Sequence, residues 1–98
     1  MRIRYSPRAT KDLASICQYL TEHRPAGATN VMAAILAAVE FIRRNPLAAE
    51  VTNVRSVHGK TVRRYRFKVF YRVLAPENVV EIVHVRHTSR KPWSGQDD

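Results

Sequence analysis

Residues 67–86 confine this chain more tightly than any other stretch. FKVFYRVL at 67–74 alternates strictly: Phe67, Val69, Tyr71 and Val73 fall on one side, Lys68, Phe70, Arg72 and Leu74 on the other. A period of two marks a strand with two distinct faces. Ala75-Pro76-Glu77-Asn78 supplies turn residues, and VVEIVHVR at 79–86 reads as a partner strand folded back antiparallel. A sheet with an apolar face needs a cover, and the N-terminal half provides one.

That half carries two helical stripes. Ser6 can cap a helix start and Pro7 fits its first turn. Ala9, Leu13, Ile16, Cys17 and Leu20 then recur at helical spacing to about His23, and Arg24-Pro25 ends the run. Cys17 falls on this stripe and reads as a buried structural thiol. A second helix is expected over 26–44, with Val31, Ile35, Ala38, Val39 and Ile42 as its stripe and Asn45-Pro46 as its stop. MRIRY at 1–5 alternates as a short strand. A further strand lies within 54–66, where Gly59 fits either a turn or a bulge. The order β-α-α-β-β-β predicts an α+β fold: a largely antiparallel sheet with an αα-hairpin packed on one face. We expect one domain over 1–93 and a short polar tail at 94–98. A chain this short buries only about 60–65% of the surface it would expose unfolded, so its core is thin and a stabilising partner is expected.

Charge gives the next constraint. The formal net charge is +9, and from Arg55 to Arg72 there are seven basic residues and no acid: Arg55, Lys60, Arg63, Arg64, Arg66, Lys68 and Arg72. Arg86, Arg90 and Lys91 form a second cluster. A one-signed field of this kind attracts nucleic acid or an acidic protein. Lys68, Arg72, His84 and Arg86 are expected to face outward together, away from the helices. Phe70 would then be an apolar centre among charges, or would pack beneath the tail aromatic, Trp93.

Several chemistries are excluded. His84 and His87, three apart on a strand, point to opposite faces, and no zinc-ligand pattern occurs, so neither metal nor cofactor is expected. The glycines at 27, 59 and 95 are isolated and form no phosphate loop. The single cysteine allows no intrachain disulfide and fits a reducing cytoplasm. The start, MRIRYSPR, lacks the apolar core of a secretory signal. VMAAILAAVEFI contains Glu40 and falls short of the roughly 20 residues of a membrane span, so no membrane partner is expected. Cleavage of RNA through its own 2′-OH needs a base, an acid and cations at the phosphorus. His87 offers the base, and Arg64, Arg66, Lys68, Arg72, Arg86 and Arg90 offer the cations. The same residue types serve binding without chemistry, and the physics alone favours binding.

IRYSPRATKDLASICQYL, KVFYRVL and above all IVHVRHTSRKPW resemble the RelE/ParE superfamily of type II toxin–antitoxin toxins, and the tail resembles its ParE-like, plasmid-stabilisation branch. The resemblance implies a cytoplasmic toxin held in a hetero-oligomer by a cognate antitoxin with an acidic segment. RelE-like relatives cleave messenger RNA on the ribosome, whereas ParE relatives block DNA gyrase. For cleavage, the resemblance places Lys60 among the basic residues after the second helix and Lys68 at a middle-strand arginine position. His87 or Thr88 falls near a late arginine, with Arg64 and Arg90 as further cations, and Trp93 replaces a tail tyrosine. These departures favour the ParE-like reading over the ribonuclease. A non-toxic basic module that binds nucleic acid is a third class. For antitoxin or target binding, the expected residues are Arg64, Arg66, Lys68, Phe70, Arg72, His84, Arg86, Arg90, Lys91 and Trp93.

Overall fold

A computed structural model describes residues 1–89, Trp93 and Gly95. Its elements are β1 (Arg2–Tyr5), α1 (Pro7–His23), α2 (Pro25–Arg44), β2 (Glu50–Val51), β3 (His58–Val62), β4 (Phe67–Leu74) and β5 (Val79–His87). Single 3-10 turns at Arg63–Tyr65 and Ala75–Glu77 join the last three strands. The sheet order is β1-β5-β4-β3-β2, with β1 parallel to β5 and every other pair antiparallel. The expected α+β architecture is present, with one addition. The stretch after Pro46 contains β2, two residues too short to leave a periodic signal.

Local chemistry sets the helix ends. Ser6 Oγ accepts from the Ala9 N–H at 3.0 Å, and its hydroxyl donates to Val83 O at 3.1 Å. One residue thus caps α1 and ties it to β5. Arg24 alone separates the two helices, because Pro25 cannot extend α1 but fits the first turn of α2.

The main core lies between the hairpin and one sheet face. All five α2 stripe residues are buried, and Val69, Tyr71, Val80 and Ile82 meet them from the sheet. Tyr71 takes its hydroxyl through this layer to donate to Pro46 O at 2.7 Å. Cys17 departs from expectation and is exposed. At 100° per residue it sits about 80° off the line through Ala9, Ile16 and Leu20, on a flank that no described residue covers.

The β3–β4 and β4–β5 connections share one design: a 3-10 turn followed by a left-handed residue. Those residues are Arg66 (φ 59°) and Asn78 (φ 53°). Asn tolerates this conformation, but Arg does so at a cost of about 1 kcal/mol.

A bulge changes the far end of β5. From the turn, Leu74 pairs with Val79 and Tyr71 with Ile82, but Phe70 then pairs with His84, leaving Val83 as the extra residue. An unbroken ladder would have turned His84 and Arg86 toward the helices. The bulge places them opposite Phe70 and Lys68, on the other face.

That second face is closed rather than open. Trp93 is buried against Phe70, Val57 and Val83, its ring edge-on to Phe70 at 4.9 Å. Phe70 is therefore 5% exposed and is no exposed apolar centre; His84 and Arg86, also expected to face solvent, are 0% and 9% exposed. The Trp93 ring covers Phe70 and His84. Gly59 lies within β3 opposite Phe70 and marks neither a turn nor a bulge.

Candidate functional site

A groove of about 1040 Å³ opens where the helix hairpin overhangs the ends of β4 and β5. Its apolar floor comes from Ile16, Leu20, Val31, Phe67 and Val85, and Tyr19 and Tyr65 stand along it. Its cations come from three separate segments: Arg24 between the helices, Arg64 and Arg66 on and just after the 3-10 turn, and Arg86 at the end of β5, where His87 also lines it. Periodicity cannot bring these segments together; the β3–β4 connection does. The strained Arg66 is latched in place, since its carbonyl accepts from the Thr88 N–H at 2.7 Å. His87 packs edge-on to Phe67 at 5.2 Å, and its Nδ1 lies 2.6 Å from Ser89 Oγ.

The residues expected for function divide by face. Arg64, Arg66, Arg86 and His87 share the groove. Arg72 is exposed on the opposite sheet face beside Glu81, its partner in register. Lys68 lies on that opposite face too, its ammonium 5.6 Å from the Phe70 ring centre. Lys60 is on the helix side, its Nζ 4.4 Å over the Phe41 ring. Phe70, His84 and Trp93 form the packed layer described above. Arg90 and Lys91 fall outside the described residues.

One groove residue escaped the sequence reading. Asp12 accepts from His84 Nδ1 at 2.6 Å, from the Val85 N–H at 3.0 Å and from Arg8 Nε at 3.1 Å. It occupies the edge of β5 beyond the point where β1 ends, and so satisfies a strand group that β1 leaves open. Burial raises the Asp12 carboxyl, but the bonds from His84, Val85 and Arg8 outweigh it and hold the group below its ordinary range. A carboxylate only accepts, so His84 carries its proton on Nδ1. The signal was available: Asp12 stands three residues after Ala9 and four before Ile16, an acid on the core-facing side of a helix. Among the described residues no three His, Cys, Asp or Glu side chains gather as metal ligands would.

The sequence model of the ParE toxin family, described as the ParE toxin of type II toxin–antitoxin system, parDE, matches residues 3–92. The fold matches a chain of the chromosomal ParDE toxin–antitoxin system from P. aeruginosa with a TM-score of 0.77 at 21% identity, over 89% of this chain and 95% of that one. The isolated E. coli RelE toxin matches with a TM-score of 0.70 at 14% identity, over 92% of this chain and 86% of that one. A chain of the intact E. coli RelBE toxin–antitoxin complex gives 0.69 at 14%, over 91% and 98% respectively. No curated protein matches.

Proposed function

Because the chain belongs to the ParE toxin family, and is the toxin component of a type II toxin–antitoxin system, we propose that it arrests growth by gripping a protein target, DNA gyrase, in the cytoplasm. The observation that carries this reading is a split in the cleavage set: Arg64 and His87 share the groove, but Lys60 and Lys68 lie away from it. Lys68 projects from the opposite face to Lys60 and His87. Lys60 and His87 share a face but are two strands and two residues apart, about 12 Å between backbones. A general base and its charge-stabilising partners must instead converge within about 3 Å of the reacting atoms.

The cognate antitoxin holds the toxin through an acidic amphipathic segment seated in the groove. Apolar floor residues flanked by Arg24, Arg64 and Arg66 suit a helix laid along them, and the +9 charge attracts such a partner at long range.

Purified toxin added to a gyrase supercoiling reaction, alongside a mapped translation reaction, tests the target. Supercoiling is expected to fall while the messenger stays intact. Codon-positioned cuts with gyrase untouched would replace this reading by the ribosome-dependent ribonuclease.

A further inference from the structure

α2 is the more apolar of the two helices, and only one side of it is used by the core. By length and composition it could cross a membrane, yet only 33% of that stretch is buried. A surface helix ordinarily turns polar residues outward. α2 instead exposes Ala33, Leu36, Ala37 and Phe41, with Leu36 at 50% and Phe41 at 39%. At 100° per residue these four cover about 140° of arc away from the buried stripe. Val51, 79% exposed, lies on the same side of the sheet, because it pairs with His58, which stacks on the core residue Tyr71.

This face is distinct from the groove, which takes only Gly27, Asn30 and Val31 from α2. Ala33 and Ala37, one turn apart between Leu36 and Phe41, leave room for the close approach of another helix. Glu40 and Arg44 lie within this arc, between Leu36 and Phe41, and Arg43 and Lys60 flank it. Glu40 is held by Arg43 and Arg44, so the surroundings stay net positive. A second copy would bring the same cations, and another +9, against them.

We propose that the outer face of α2 docks an acidic amphipathic helix of the toxin's protein target, while the antitoxin occupies the groove. The proposal rests on the toxin reading but not on gyrase being the target. The test compares L36E and L36K in the full chain by growth arrest on induction, antitoxin affinity, melting temperature and light scattering. L36E is expected to abolish arrest and L36K to weaken it about tenfold less, with antitoxin affinity kept within about threefold. A37E should repeat the L36E result, which separates lost docking from damage at one site. Full arrest by L36E and A37E would overturn the proposal. Equal loss from L36E and L36K would overturn the acidic partner. A dimer that L36E dissociates would replace the target by a second copy. Arrest lost in L36E, when wild-type toxin leaves supercoiling untouched, would sink the gyrase reading and leave this face standing.

Discussion

The two faces of the sheet are built on different scales. The helix side meets two helices and buries Ile35, Ile42, Val69, Val80 and Ile82. Among the described residues, the opposite side buries Val57, Phe70 and Val83 against Trp93 of the tail, with Val54 packed beside them. The first face is a core made by periodic elements. The second is a smaller patch packed against Trp93, far along the chain, with Lys68 and Arg72 beside it. The first face therefore has the larger core, and the second depends on a residue that no period announces.

The comparison can be broken by substitution. Ile35→Ala is expected to cost about 3–4 kcal/mol, as a fully buried side chain leaves a cavity between helix and sheet. Trp93→Ala should cost about 2 kcal/mol, below the usual range for a buried aromatic, because its cluster is small. Equal shifts in denaturant midpoint would show that the tail-covered face is as much a core as the other.

Asp12→Ala tests the link between the faces, with an expected cost of about 2–3 kcal/mol between those two, since it strands His84 Nδ1 and the Val85 N–H. The pH dependence has a definite sign. The folded carboxyl lies below the ordinary value of 3.8, so its contribution is full above that value and is lost as pH falls through the lower folded one. The variant should therefore lose less stability than wild type on acidification below about pH 4. Parallel acid curves would remove Asp12 from the account.

The smallest effect is expected at Gly59→Ala. The new Cβ would meet Lys68 Cε, the flexible part of a long side chain, and press on Thr52 Cγ2 at 3.1 Å. A loss under about 1 kcal/mol is expected, smaller still in the G59A/K68A double variant. A large loss that K68A leaves unchanged would place the obstruction at Thr52.

Much of the helix-covered face was legible because its residues obey a period. The α2 stripe is buried as spaced, and β4 divides its residues between faces as its alternation requires. The rest depended on interactions with no period. His84 and Arg86 face away from the helices as expected, but only because Val83 bulges out of the ladder, and they are buried there rather than exposed. Asp12 is explained by the strand edge that β1 leaves open, 73 residues away from Val85. The groove was half visible: its cations were conspicuous as a run, but Arg64 and Arg72, grouped by sequence, lie on different faces.

That separation gives the most direct test of the central claim, that the groove rather than the second sheet face holds the antitoxin. Affinity of the cognate antitoxin is to be measured across salt concentration for R64E/R66E and for R72E. The groove pair should weaken binding by about 100-fold or more and change its salt slope, while R72E stays within about threefold of wild type. Loss in R72E with R64E/R66E unaffected would contradict the account and move the antitoxin to the opposite face.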